Sequence, residues 1–204
     1  MENSNKEKII LDLCGGTGAW SKPYKDAGYD VKVLTLPEYN IVDWWRNTEI
    51  MEILTKEKVY GILAAPPCTM FSRARTTAKT KRDFEGAMEV VDSCLSLIKF
   101  YEITHHLKLK FWAIENPRGL LTRFIGKPVF KFQPYDFGDR YSKETYLWGN
   151  FKEPKKCQVK LTKKEILESR NNTRKLPKIK GLSVAARRAI TPAGFAKAFF
   201  NSNK

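Results

Sequence analysis

With 204 residues, 42% of them hydrophobic and 29% charged, the chain has the size and make-up of one ordinary globular domain. The formal net charge is +15, from 37 Lys+Arg against 22 Asp+Glu, which points to a polyanionic partner, nucleic acid first. No apolar run reaches the roughly 18 residues that a membrane span needs, and the polar start has no signal-peptide pattern, so a cytoplasmic protein is expected. Cys14, Cys68, Cys94 and Cys157 are widely spaced and form no Cys-x-x-Cys pair. That argues against a disulfide framework and against a zinc site, so reduced thiols and no metal are expected.

In chain order, Lys8–Leu13 predicts a strand that runs into Cys14-Gly-Gly-Thr-Gly-Ala-Trp20, with a polar, helix-like segment to Gly28. Strand, glycine-rich turn and helix open a Rossmann-type unit, where glycine lets the backbone turn sharply and approach a ligand. The spacing is not Gly-x-Gly-x-x-Gly, so a dinucleotide is not the natural ligand. Tyr29–Leu34 predicts a second strand. An acid soon after such a strand binds a ribose hydroxyl in folds of this kind. Glu38 is the nearest, and Asp43, after Ile41-Val42, would end a short third strand. Each also fits a solvated loop carboxylate.

A polar helix is predicted over Thr48–Leu54 and a buried strand over Val59–Ala64. Pro66 and Pro67 then stop the ladder and stiffen the turn that carries Cys68. The C-terminal edge of a parallel sheet is where ligands bind, so Cys68 fits a nucleophile there as well as a buried structural thiol. Ser72, Arg73, Arg75, Lys79, Lys81 and Arg82 lie in a stretch with five basic residues and no acid, which reads as a phosphate-contacting loop.

Phe84, Met88, Val91, Leu95 and Ile98 form the apolar stripe of an amphipathic helix, and His105 and His106 beyond it read as surface residues. Lys110–Pro117 predicts a strand with Glu115 at its end. If the sheet is parallel, Glu115 and Cys68 project from the same edge. Val129–Pro134 and Thr145–Trp148 read as a closing hairpin. Residues 150–188 are dense in Lys and Arg and read as an irregular basic loop. Thr191, as N-cap, and Pro192 then open a last helix whose apolar face holds Phe195, Ala196 and Phe199.

Four of these stretches, in this order, resemble motifs of the DNA cytosine-5 methyltransferases, above all the small phage-encoded forms. They are Asp12-Leu-Cys-Gly-Gly-Thr-Gly18, Pro66-Pro-Cys68 with Phe71-Ser72, Glu115-Asn116, and Thr191–Phe200. Cysteine where amino-methyltransferases carry an Asp/Asn-Pro-Pro-Tyr type sequence argues for carbon methylation. The resemblance implies one catalytic domain over residues 1–204 with a Rossmann-like α/β methyltransferase fold: a mostly parallel sheet, an antiparallel last strand and helices on both faces. It implies S-adenosyl-L-methionine as cofactor, lined by Cys14, Gly15, Gly16, Thr17, Gly18, Trp20 and Glu38, with Asp43 and Pro67 beside them.

By the same resemblance, Cys68 adds to C6 of cytosine so that C5 can attack a methyl sulfonium. An ordinary thiol has a pKa of roughly 8.5, so the site is expected to favour thiolate through a nearby cation. Glu115 would hold or donate a proton at N3 from a dry pocket, and Asn116 would order the strand end. DNA is the implied substrate, with the target base flipped out of the duplex.

Two departures from the family stand out. The usual Gln-x-Arg-x-Arg pattern is replaced by Tyr141, Lys143 and Thr145, leaving Arg140 or Lys143 to substitute. The target-recognition domain is reduced to residues 150–188, about 40, too few for an ordinary domain. Sequence reading is then lax, or supplied by a partner protein. An RNA or free-nucleotide cytosine methyltransferase, and a catalytically silent nucleic-acid-binding homologue, stand as alternatives.

Overall fold

Five consecutive buried residues make β1 (Ile9–Leu13) the interior strand that its sequence predicts. In this computed structural model, residues 5–73, 75, 79–106, 108–171 and 184–204 are described. The sheet has six strands in the order β2 (Asp30–Leu34), β1, β3 (Val59–Ala64), β4 (Phe111–Pro117), β6 (Thr145–Asn150), β5 (Phe130–Phe132). The pairs β1–β2, β1–β3 and β3–β4 are parallel, and β6 is antiparallel to both of its neighbours. The last strand in the chain therefore runs alone against the rest. The strand order reverses between β1 and β3, the switch point at which open α/β sheets form their ligand crevice.

Alternation along the strands divides the core between two faces. Leu11, Leu13, Ile62, Ala64 and Ile114 pack against α2 (Thr48–Thr55) and α3 (Phe84–Thr104), through Ile50, Leu54, Cys94, Leu97 and Tyr101. On the other face Ile10, Leu63, Phe111, Ala113 and Leu147 meet Tyr24 of α1 (Lys22–Asp26) and Phe195 and Phe199 of α6 (Ala193–Asn203). The long α3 is the crossover between parallel β3 and β4. The result is a six-stranded, Rossmann-like α/β arrangement. Among the described residues no helix is long and apolar enough to cross a membrane.

Four local expectations are corrected. Asp43 does not end a strand: Ile41–Arg46 forms a 3-10 segment, because Ile41 and Trp44 turn into the core and Asn40 caps its start. His105 is buried, with a ring nitrogen 2.7 Å from the Leu54 carbonyl and its ring against Tyr101, whereas His106 is exposed. Residues 150–188 are not wholly irregular: α4 (Lys163–Asn171) and α5 (Val184–Ala189) occupy part of them, and residues 172–183 lie outside the described ones. The last helix starts one residue later than its signature predicts, with Pro192 as its cap and Thr191 buried.

Candidate active site

Leu13, Ala64 and Ile114 are level across β1, β3 and β4, so the next residues out are Cys14, Ala65 and Glu115. The three sequence motifs thus open from adjacent strands at one edge.

The turn after β3 is held from several sides. The Cys68 carbonyl accepts the Phe71 and Ser72 amides at 3.1 and 2.9 Å. Across from it, Asn116 Nδ2 donates to the Pro66 carbonyl at 3.0 Å, and the Leu120 amide donates to the Phe71 carbonyl at 2.8 Å. Ser72 also forms a bridge with Gly119. A Cβ on Gly119 would sit 2.4 Å from the Phe71 carbonyl oxygen, so this docking needs glycine. Phe71 is fully buried and closes the turn onto the core.

Arg82 completes the clasp, its guanidinium donating to the carbonyls of Met70 and Ser72, the latter at 2.9 Å. It was expected to contact phosphate; instead it ties down the turn that carries Cys68. Arg75 is bonded within its own loop at the surface, donating to Thr80 Oγ1 at 2.6 Å. Arg73, Lys79 and Lys81 are exposed, as a phosphate-contacting role requires, while Ser72 is half-buried in the turn. Residues 74 and 76–78 of this loop lie outside the described residues.

Glu115 is 6% exposed, and its Oε1 has no hydrogen-bond partner, lying 3.7 Å from Lys143 Nζ. The carboxyl is thus largely shielded from solvent. Asn116 is fully buried, with its amide oxygen unpaired. Of the two cations proposed to replace the missing arginines, only Lys143 belongs here. Arg140 points to α4 and pairs with Glu165 at 2.7 Å on the surface. Glu165, held at about 2 by the Thr162 amide and then by Arg140, shows that this pair is occupied with fastening α4.

Burial pushes the half-buried Cys68 thiol up, and the negative charge of Glu115 pushes it further; Lys143 and Arg188 pull it down but are outweighed. The cations expected to favour thiolate are present, yet the net effect of the surroundings runs the other way, towards the protonated thiol. Tyr141 lies close enough to Glu115 to feel its charge, its phenol raised by burial and by Asp139 and Glu115. Sequence reasoning set Tyr141 aside as a departure from a motif, and missed Arg188 altogether among its basic neighbours.

The loop after β1 is shaped differently. Cys14, Gly16 and Gly18 all take left-handed backbone conformations, with φ of 55, 56 and 67°. Gly16 and Thr17 are exposed, Gly15 and Gly18 half-buried. Beneath them lies the fully buried Asp12, whose Oδ2 is 2.5 Å from Ser21 Oγ, while its Oδ1 is unpaired. Burial pushes the Asp12 carboxyl up to about 6. The Cys14 thiol is pulled down by a hydrogen bond from the buried Cys94 of α3, which is itself pushed up. That partner was legible only as another buried position on an amphipathic helix.

Of the other expected cofactor residues, Glu38 is exposed on the loop after β2, which leaves the edge beside Cys14. Asp43 is half-buried and bonded to Asn40 Nδ2 at 3.1 Å, and Pro67 is exposed next to Cys68. Trp20 is corrected: it is 2% exposed and packs in the core against Phe195 and Phe199, away from the open side of the loop. Comparison of the sequence with family models and with curated proteins finds no match in either.

Proposed function

We propose that the chain is a methyltransferase acting at C5 of cytosine in DNA, with S-adenosylmethionine as the methyl source. The observation that carries this reading is the meeting of Cys68, Glu115 and Lys143 at the edge where the Cys14–Gly18 loop also opens. A Rossmann-like sheet whose last strand alone runs antiparallel supports a methyltransferase fold.

The residues fit such a cofactor. Three left-handed residues present the loop backbone outward, and a Cβ on Gly16 would meet nothing within 4 Å, which leaves open space against it. Backbone amides there suit a carboxylate, and Glu38 suits a ribose hydroxyl. Bound S-adenosylmethionine supplies an electrophilic methyl group.

The chain's own groups do the rest. Cys68 must lose its proton to add at C6, and Glu115 is a carboxylate in the same pocket able to take it. Proton transfer removes the charge that opposes the thiolate, and Lys143 then stabilises it. The protonated Glu115 hydrogen-bonds N3 and steadies the ring as C5 becomes nucleophilic. Asn116 and Arg82 keep the Cys68 turn in place throughout. Once C5 carries the methyl group, loss of its proton and of Cys68 restores the ring. Exposed Arg73, Lys79 and Lys81 hold flanking phosphates while the base is flipped out.

Transfer of tritium from labelled S-adenosylmethionine to unmodified DNA tests this, with Cys68→Ala alongside. The account expects label on 5-methylcytosine with the wild type only. Cofactor binding without transfer to any DNA would refute it. The short segment 150–188 favours one second reading, an RNA or free-nucleotide cytosine substrate, which the same assay on RNA and dCTP separates.

A further inference from the structure

We propose that α5 is a phosphodiester clamp, with Arg187 and Arg188 taking a nucleic-acid phosphate at the mouth of the Cys68 pocket. This rests on the reading of that pocket as a nucleotide site, and it names the two residues and the kind of contact within a segment that the resemblance marks only as a shortened recognition region.

Position comes first. Only Ile190, Thr191 and Pro192 separate α5 from α6. The start of α6 is fixed, because the Gly194 amide donates to Asp139 Oδ2 at 3.0 Å. Asp139 in turn opens the short stretch that carries Tyr141 and Lys143 into the site. A three-residue link spans roughly 10 Å at most, so the arginines at the end of α5 stay beside this edge. The electrostatic effect of Arg188 on Cys68 agrees with that placement.

Availability comes next. Three other cations near the site hold protein groups: Arg82 the carbonyls of its turn, Arg140 the Glu165 carboxylate, Lys143 the Glu115 carboxylate, while Arg73, Lys79 and Lys81 on the opposite loop stay exposed. Arg187 and Arg188 form no ion pair among the described residues, and the Arg187 Nε is buried with no hydrogen-bond partner. A buried guanidinium N–H without an acceptor is costly unless a ligand supplies one. Cations in the last turn of a helix also complement its carbonyl end. That explains their place on α5, but not an unpaired donor or a charge that reaches Cys68.

Chemistry completes the case. The planar fork of arginine matches the two free oxygens of a phosphodiester, and a second guanidinium nearby adds charge. Such a grip carries affinity but no base information, so weak sequence preference follows.

The test is binding of fluorescent duplex DNA, single-stranded DNA and RNA to the full chain across a salt series. Wild type is compared with Arg187→Gln/Arg188→Gln and with a charge-matched control, Lys155→Gln/Lys160→Gln, at two exposed lysines of the same segment. The clamp predicts about tenfold weaker binding for the arginine pair. Its slope of log affinity against log salt falls by roughly 1, one phosphate contact. Affinity for S-adenosylmethionine stays unchanged. Should the glutamine pair melt early, Arg187→Lys/Arg188→Lys replaces it and is expected to lose affinity while keeping charge. Equal losses from the lysine control, an unchanged slope on all three nucleic acids, or lost cofactor binding instead would each overturn the clamp. The outcome is separable from the proposed chemistry, because a chain that binds through α5 yet transfers no methyl would refute the activity alone.

Discussion

The loop after β1 and the turn after β3 leave adjacent strands at one edge, and they keep their shapes by opposite means. Cys14–Gly18 is shaped from within, by left-handed backbone at three of its five residues, and its outer side is open. The turn from Pro66 to Ser72 is held from without, by Asn116 and Leu120 at and just beyond the end of β4 and by Arg82 further along the following loop. A loop that receives a ligand needs exposed amides. A turn that presents one side chain needs it fixed, and here the stiffness of Pro66 and Pro67 and the turn's own backbone bonds are supplemented by contacts from other segments. The contrast also explains why Arg82 could not be read from the sequence: it lies among basic residues whose composition suggests phosphate, and only the fold spends it on two carbonyls.

Four measurements bear on this contrast between the two loops. The largest expected effect concerns Asp12 beneath the first loop. Its carboxyl binds a proton more tightly in the folded chain, at about 6, than at the ordinary 3.8. Its contribution to stability is therefore complete below pH 3.8 and is lost as pH rises through about 6. That gap is worth about 3 kcal/mol. Denaturant unfolding at a series of pH values is expected to show this loss in the wild type and not in Asp12→Asn.

Gly119→Ala comes second. Its φ of −169° is open to any residue, so the penalty is purely one of space against the Phe71 carbonyl. About 2 kcal/mol of stability should be lost, together with ordered docking of the Cys68 turn. Gly16→Ala tests the opposite cause, since its φ is 56° but nothing lies within 4 Å of the added Cβ. It should cost about 1 kcal/mol, from backbone strain alone. If the two substitutions cost the same, the distinction between the loops fails.

The smallest effect is on thiol reactivity. Glu115→Gln removes a charge that raises Cys68, so alkylation of Cys68 by iodoacetamide at neutral pH should quicken; Lys143→Gln should slow it. Peptide mapping separates Cys68 from the other three thiols.

The central strands were legible because β1 and β3 are largely buried and read as mainly apolar runs, broken in β1 only by Asp12, that lead into Gly-Gly or Pro-Pro. The position of Glu115 followed from its strand end. The misreadings have local causes. Ile41-Val42-Asp43 looks like a strand, but Trp44 needs the core and turns the backbone into a 3-10 segment. Trp20 sits in a motif that suggests a ligand, yet α6 returns from the far end of the chain to cover it. α4 had a usable signal: Thr162 and Glu165 form a reciprocal cap, Thr-x-x-Glu, inside a stretch whose charge density suggested disorder. Arg140 and Lys143 differ by three positions, and no sequence argument separates the one bound to Glu165 from the one beside Glu115.

The proposed reaction requires Cys68 to attack a cytosine ring. Fluorine at C5 cannot leave as the proton does, so DNA containing 5-fluorocytosine should trap the adduct. Incubation with S-adenosylmethionine followed by peptide mass mapping is predicted to place the nucleotide on Cys68, and none on Cys14, Cys94 or Cys157. An adduct on another cysteine, or methylated DNA with no trapped chain at all, would contradict the account.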